Sequence, residues 1–536
     1  MRVAGAGAGI LAAGVALGVA ELGAGILGNG RASPLVAIGG SVIDATPRWL
    51  KEWAIRSFGT NDKDVLVGSI LAALVLLALL TGMFAVVNRR VGLVGVALLT
   101  LVGAGSATTR PGADLLDALP SVLGGLVGAA ALLVLLRPLR AGPDADLSPT
   151  RVAPRPPPFG VSEDRTAGYL ASVDRGGAAW DRRAFLLTGV GAVAVGAVAG
   201  AAGRSALTRR LNVEASRAAV VLPAPGSPAA PLPPGTDLGL PGLSPFRTSN
   251  RDFYRIDTAL LVPQLSTSEW RLRVHGMVEQ EIELDYAALL ARGLVERDIT
   301  LTCVSNEVGG SLVGSARWLG APLAGLLREA GVRPGADQIL SRSVDGMTIG
   351  TPTEVVMDGR DALLAIAMNG EPLPTRHGFP VRMVVPGLYG YVSATKWVVE
   401  LELTRFVDTQ AYWVERGWAL RGPIKTMTRI DIPNGRGQVR AGRVAVAGVA
   451  WAQHRGIERV EVRVDRGAWR QARLASVPST DTWRQWVLGW DATPGEHVIQ
   501  ARAADATGRP QPQQEADPFP SGATGWPTRT VSVAAN

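Results

Sequence analysis

Residues 301–311 read LTCVSNEVGGS and carry the single cysteine of a 536-residue chain. Ile299, Thr300, Leu301 and Thr302 form a short strand pattern, and Ser305, Asn306, Gly309 and Gly310 have the composition of a loop. The thiol of Cys303 thus stands where a strand gives way to a turn. A free cysteine is most often a small buried hydrophobe. At a strand end before a glycine-rich loop it is also placed to be a nucleophile or a metal ligand. The residues alone leave both readings open.

One cysteine excludes an intrachain disulfide, CxxC zinc sites, four-cysteine iron–sulfur clusters and a CxxCH haem attachment. The formal net charge is +8, mostly from arginine. Aromatic residues are few and no basic stretch is interleaved with them, so a nucleic-acid partner is not expected. Much of the positive charge instead flanks apolar runs, where a lipid bilayer accounts for it.

Those runs fill residues 1–140 and 183–204. Val3–Ala20, Val65–Val87, Val91–Thr109, Ala118–Leu136 and Ala184–Gly203 contain no charge and approach the roughly 20 residues of a membrane-crossing helix, except Glu21 at the border of the first. We read a four-span region over 1–140, a cytoplasmic linker over 141–182 and a fifth span over 183–204. Asn88-Arg89-Arg90 and the arginines of the linker place both segments inside. The N-terminus is then inside and everything after the fifth span outside. The external loop 29–64 holds five basic and four acidic residues. Within it Trp49, Trp53, Ile55 and Phe58 suggest a helix lying in the interface. Asp181-Arg182-Arg183-Ala184-Phe185-Leu186-Leu187 is either a twin-arginine-like export signal or an ordinary arginine flank. No histidine precedes His275, so a haem held by histidine pairs is not expected among the spans.

Residues 205–245 end in VLPAPGSPAAPLPPGTDLGLPGLSP (221–245), expected to be an extended tether. From Phe246 the texture changes. Trp270, Leu272, Val274, Ile282 and Leu284 alternate with polar residues, 322–330 is helical with Gly331 as its stop, and Gln338–Ser343, Val381–Val385 and Lys396–Leu403 are strands. Residues 246–405 therefore form an α+β domain. From 406 to 536 the pattern is all-β, with Val444–Ala450, Val460–Val464, Arg484–Gly489 and His497–Ala503 alternating, as in an immunoglobulin-like sandwich. Trp413, Trp418, Trp451 and Trp469 are expected in core or inter-domain packing.

LTCVSNEVGGSLVGSARWLGAPLAGLL (301–327) resembles the cysteine loop of the sulfite oxidase family of molybdopterin-dependent oxidoreductases. HGFPVRMVVPGLYGYVSATKW (377–397) resembles the family's second signature. GVAWAQHRGIERVEVRVDRGAW (448–469) and DATPGEHVIQARAADATG (491–508) resemble its immunoglobulin-like dimerisation domain. The likeness spans about 246–536. It implies an α+β sulfite-oxidase-type molybdopterin domain and a C-terminal immunoglobulin-like β-sandwich, which with the N-terminal α-helical membrane region of about five spans read from the apolar runs make a multi-domain chain. It further implies molybdenum with one molybdopterin, held by the Cys303 thiolate, a soft ligand suited to such a metal.

Further cofactor contacts are implied by the same resemblance. Asn250, Phe253 and Tyr254 match an N-x-x-F-Y pattern of the methionine-sulfoxide-reductase branch. His377 and Arg382 fall on contacts of the second signature, and Arg382 suits a phosphate because its fork donates two bonds. Ser393, Ala394, Thr395 and Lys396 fall where the family binds the cofactor phosphate. Ser343 is a further contact. Asn306 and Glu307 would order the loop or the substrate, or cap the turn.

Two departures bear on the substrate. Ile366, in LLAIAMNG, stands where sulfite-oxidising members carry a tyrosine, and the R-N-H pattern near 247–250 is absent. Arg255, Arg317 and Arg342 could supply the cationic pocket that sulfite needs. The resemblance, together with the apolar spans, thus implies a membrane-anchored oxidoreductase that moves an oxygen atom to or from a small sulfur or nitrogen oxide. It would sit in the cytoplasmic membrane as a multi-pass protein, its catalytic domain on the extracytoplasmic side. It would work with a separate electron carrier, without haem of its own, and as a homodimer through the C-terminal domain. The alternative is a non-catalytic membrane-anchored adhesion or assembly protein with a vestigial cofactor site.

Overall fold

The computed structural model describes residues 1–27, 32–47, 50, 53, 62–109, 113–140, 182–210, 213–259, 262–435 and 439–535. The expected linker 141–182, except Arg182, and the interfacial segment around Trp49, Ile55 and Phe58 lie outside the described residues. The chain divides into two compact units, Met1–Arg210 and Leu211–Asn536.

In the first unit, α1 (Arg2–Leu27), α2 (Pro34–Ala45), α3 (Asp62–Val87), α4 (Arg89–Thr108), α5 (Leu119–Arg140) and α6 (Arg182–Arg210) succeed one another. Arg2–Leu27, Val65–Val87, Arg89–Thr108, Leu115–Leu139 and Arg183–Ser205 are long and apolar enough to cross a membrane. α1 packs against α3, α5 and α6 through small residues. At Gly18 a Cβ would run into the backbone of Gly196, and at Gly9 into that of Ala78 and Gly82. Such close backbone approach is how apolar helices associate when lipid removes the hydrophobic drive between them. Large side chains such as Leu76, Leu101, Leu126, Leu186 and Val198 point outward and are exposed. The Asn88 side chain accepts from Arg90 N and starts α4 immediately after α3 ends, so Asn88-Arg89-Arg90 forms the tight connection expected from the sequence. The short apolar helix α2 lies in the loop expected to be external, where Ser33 at its N-cap and Pro34 at its first position start it.

The second unit opens with α7 (Val213–Ala218) and an irregular strap over 219–259 and 262–270. Then come β1 (Arg271–Gly276), β2 (Ile282–Asp285), α8 (Tyr286–Leu290), β3 (Val295–Thr302), β4 (Val313–Pro322), α9 (Leu323–Ala330), β5 (Gln338–Ser343), β6 (Thr348–Pro352), α10 (Thr353–Met357), β7 (Leu363–Met368), β8 (Glu371–Pro372), β9 (Arg382–Val384) and β10 (Val398–Thr404). They make two sheets, ordered β2-β1-β10-β5-β6 and β3-β4-β7-β8, with β9 added to β7. α9 stops at Gly331, which takes the left-handed conformation of a C-terminal glycine stop. Strands β4 and β7 are buried along most of their length, which is why they read as apolar runs rather than alternations.

The C-terminal part contains β11 (Met427–Ile432), β12 (Val439–Arg440), β13 (Gly442–Trp451), β14 (Ile457–Val464), β15 (Arg470–Gln471), β16 (Arg473–Leu474), β17 (Arg484–Ala492), β18 (Gly495–Asp505) and β19 (Thr528–Ala534). They form sheets ordered β11-β13-β17-β16 and β12-β19-β18-β14-β15. Ile430, Val446 and Trp486 from the first and Val460, Ile499 and Val531 from the second share one core.

The proline-rich run is extended, as its composition requires, but it is not free. Upstream of it, Val213 is buried beside Phe253 and Trp318, and Arg217 donates to Leu373 O and Glu371. Ser227 then bridges to Val295, Leu238 N donates to Gln485 Oε1, and Ser244 N donates to Asp431. The strap is therefore bonded to the α+β sheets at one end and to the C-terminal sheets at the other.

Candidate active site

Cys303 directly succeeds the last residue of β3. β3 pairs with β4 on one edge, in antiparallel register from Val295↔Gly320 to Thr302↔Val313. Its other edge is covered by the C-terminal part: Thr300 N donates to Asp481 O, and Trp483 N donates to Thr300 Oγ1. Gln453 Nε2 donates to Thr300 O and to Thr302 Oγ1. The strand carrying the cysteine is thus clamped between two parts of the fold. Beyond it, Cys303 N donates to Leu312 O, and Asn306 Oδ1 accepts from Leu312 N at 2.8 Å. Asn306 therefore orders the cysteine loop. Glu307 is exposed on that loop.

A cavity opens at the sulfur. Phe253, Tyr254, Cys303, Ser343, His377, Arg382, Ala394 and Lys396 line it, so eight of the eleven cofactor contacts expected from the sequence converge. The other three do not. Asn250 donates to Met368 O and Glu371, Ser393 Oγ bonds to Leu388 O and Tyr389 O, and Thr395 Oγ1 bonds to Ser341 Oγ at 2.6 Å. Asn250 acts one step back: its carbonyl meets His377 Nε2 at 3.0 Å. A carbonyl can only accept, so that ring nitrogen carries the hydrogen and Nδ1 keeps a lone pair. Burial and the neighbouring Arg382 and Lys396 charges hold His377 neutral, its pKa pushed down to about 3.

The cavity gathers cations. Arg382 is buried and lies over the Trp318 ring, 5.1 Å from its centroid. Its partners are carbonyls, chiefly His377 O at 3.1 Å, and no carboxylate among the described residues pairs with it. Burial lowers its pKa to about 10. Lys396 donates to Asp257 at 2.7 Å, and Asp257 also accepts from Arg255 at 2.9 Å. Burial brings the Lys396 pKa down to about 8 against the pull of Asp257. Two backbone features aim these groups. Trp397, next to Lys396, takes the left-handed conformation at φ 51, sparsely populated for such a bulky residue. Gly378 has φ 110, and a Cβ there would stand 3.0 Å from Arg382 Cβ and 3.1 Å from Lys396 Cβ. Only glycine leaves room for both side chains.

Burial pushes the Cys303 thiol up, and the Ser305 amide and hydroxyl, together with the Lys396 charge, oppose that push. A buried sulfur with such polar support is set up for a partner that stabilises its anion, and a metal does so most strongly.

Sequence reasoning missed several walls. Asp257 and Ser305 lie in irregular segments without periodicity. Trp413 and Trp418, expected only in packing, line the cavity together with Tyr391, whose ring lies tilted against Trp418 with centroids 5.8 Å apart. Of the arginines considered for sulfite, Arg317 pairs with Asp298 and Arg342 with Glu400, while Arg255 reaches the cavity only through Asp257. Ile366 is fully buried in the main core.

The residues fit a molybdopterin. A buried guanidinium without a carboxylate and the Ser343 hydroxyl, buried without a partner, leave donors for an anionic polar ligand. Together the fold and site define a molybdopterin-binding oxidoreductase. The family profile described as "Oxidoreductase molybdopterin binding domain" matches residues 259–413. Mitochondrial sulfite oxidase of Rattus norvegicus is 29% identical over 276 residues, 43% of this chain and 50% of that one. The uncharacterized oxidoreductase YuiH of Bacillus subtilis is 31% identical over 155 residues, 29% of this chain and 75% of that one. The crystal structure of the sulfane dehydrogenase SoxCD from Paracoccus pantotrophus is 25% identical, covers 55% of this chain and 85% of its own, and superposes with a TM-score of 0.48. The chain belongs to the sulfite oxidase family of molybdopterin-dependent oxidoreductases. It spans about half the length of the mitochondrial sulfite oxidases it matches.

Proposed function

We infer that the chain is a membrane-anchored molybdenum oxidoreductase that moves an oxygen atom to or from a small sulfur or nitrogen oxide outside the cytoplasmic membrane. The observation that carries this reading is the convergence of Cys303, His377, Arg382 and Lys396 on one cavity. Molybdenum bound by one molybdopterin would supply the two-electron oxygen-atom transfer.

Every other part of the work falls to the chain. Cys303 would hold the metal through its thiolate. Arg382 and Lys396 would bind the cofactor's phosphate, with Asp257 keeping the ammonium in place until then. Ser343 Oγ would donate to or accept from the pterin. Phe253 and Tyr254, stacked at 5.2 Å between centroids, would wall the ring system. Neutral His377 would offer Nδ1 as an acceptor. Asn250, Ser393 and Thr395 would hold these groups from behind.

The missing tyrosine at Ile366 and the pairing of the three candidate arginines with carboxylates favour a neutral oxide over free sulfite. A small anion would find its cationic partners only at Arg382 and Lys396, which serve the cofactor in this reading. Five apolar helices and the arginines at their ends support the anchor and the outward catalytic side. In this reading electrons pass singly to a separate carrier, and the C-terminal sheets form an immunoglobulin-like domain that pairs two chains. A non-catalytic adhesion role draws no support from a site whose cations, cysteine and glycine cradle are all in place.

The test is a dye-linked screen on full-length protein of verified molybdenum content. Reduced viologen with sulfoxides and N-oxides reads one direction, and ferricyanide with sulfite reads the other. Turnover of a sulfoxide or N-oxide, abolished by Cys303→Ser, is the expected result. Turnover of sulfite alone would overturn the substrate reading, and no turnover by molybdenum-replete protein with any of them would overturn the reaction class.

A further inference from the structure

β1 and β10 are parallel neighbours in the sheet β2-β1-β10-β5-β6. Their register sets Arg273 opposite Glu400 and His275 opposite Glu402. Leu272, Val274, Leu401 and Leu403 turn to the buried face. The alternate residues, His275, Glu400 and Glu402, therefore share the outer face, each half-buried. One ligand atom from each of these three lies within 4.8 Å of the other two.

We propose that His275, Glu400 and Glu402 form a zinc site. His275 Nε2 and Glu400 Oε1 are hydrogen-bonded at 2.9 Å, so two of the three ligand atoms already stand side by side. Two ligands bound tetrahedrally about 2.1 Å from one ion stand about 3.4 Å apart, so zinc takes the place of the shared proton once this pair opens by about half an ångström. Glu400 is already oriented: its other oxygen accepts from Arg342 at 3.2 Å, which leaves Oε1 for the metal. Partners of this kind fix the direction of a ligating carboxylate.

Glu402 completes the set. Among the described residues it has neither an ion pair nor a hydrogen bond from its side chain, so it is free to close the remaining gap. Its stem lies over Gly276, which has no side chain to obstruct it. The charged groups that face the site are Arg342 and Arg273 against Glu281 and Glu283, in addition to the two ligand carboxylates. Arg273 is occupied by Glu281 at 2.8 Å. Four carboxylates against two arginines give a face that draws a divalent cation. One imidazole with two carboxylates suits zinc better than the all-oxygen ions calcium and magnesium. Coordination would pin β1 to β10, the strand that leads away from Lys396 and Trp397.

The test uses full-length protein in detergent, treated with EDTA, equilibrated with zinc sulfate and dialysed. Zinc and molybdenum are then counted in the same sample. The wild type is expected to hold about one zinc more per chain than His275→Ala or Glu402→Gln, with molybdenum unchanged among the three. In competition with a chromophoric chelator, each variant is expected to bind zinc at least about tenfold more weakly. Zinc should also raise the thermal midpoint of the wild type alone. Glu402→Gln removes a carboxylate with no structural partner, so its fold is preserved and its zinc count is decisive. Equal zinc in all three proteins, or none above background in the wild type, would overturn the proposal, and neither result depends on the molybdenum reading.

Discussion

His377 and Arg382 show how burial and charge act together beside Cys303. Arg382 is a buried cation that no carboxylate pairs with among the described residues, and His377 remains neutral next to it. The unfolded His377 titrates near 6.5 and the folded one near 3, so the unfolded chain binds the extra proton between those values. The contribution of His377 is therefore complete above about pH 6.5 and is lost as pH falls toward 3, at up to about 1.4 kcal/mol per pH unit. We predict a shallower acid limb for His377→Gln than for the wild type in urea titrations from pH 7 to 4. Parallel limbs would show that this imidazole is protonated in the native protein.

The strands explain why so much of the site was legible and why part of it was not. Glycine stops and alternating faces announced α9, β5 and β10, because those signals are local. The cysteine loop was legible for a similar reason: glycine, asparagine and serine crowd into one turn. Asp257 carried no such signal, since its role appears only when Lys396, far along the chain, folds back onto it. Trp413 and Trp418 do pack against the main core as expected and also face the cavity, and an aromatic in a packed wall looks the same in sequence as one that does both. The proline-rich strap was read from composition, which reports its extension and not the bonds it makes.

The clamp on β3 can be tested where it is most polar. Asp298, buried on β3, accepts from Arg247 at 2.7 Å and Arg317 at 2.8 Å. Burial raises its pKa, yet the two guanidiniums together hold it below the ordinary carboxylate value. Removing the carboxylate strands Arg247 and leaves Arg317 only Glu296, 3.5 Å away, and Asp298→Ala is expected to cost about 3 kcal/mol. Chemical denaturation reads this directly. A cost below about 1 kcal/mol would mean the pair of bridges contributes little to holding the cysteine strand.

The division at Leu211 has a consequence for the chain taken as two units. The strap and α7 belong with the cofactor-binding part, so a fragment of residues 213–536 should fold and take up molybdenum. A fragment starting at 246 loses buried Val213 and the bonds of Arg217, Ser227, Leu238 and Ser244. Its thermal midpoint is expected to fall by at least about 5 °C relative to the longer fragment. Equal midpoints would show that the strap is dispensable. The apolar helices then carry a separate task, which we read as anchoring.

The proposed function depends on what the single cysteine binds. Molybdenum X-ray absorption of the full-length protein and of Cys303→Ser, both loaded in a host that makes the cofactor, addresses that bond itself. The account predicts one more sulfur neighbour around the metal in the wild type than in the variant. An unchanged sulfur shell, or wild-type protein without molybdenum, would contradict it.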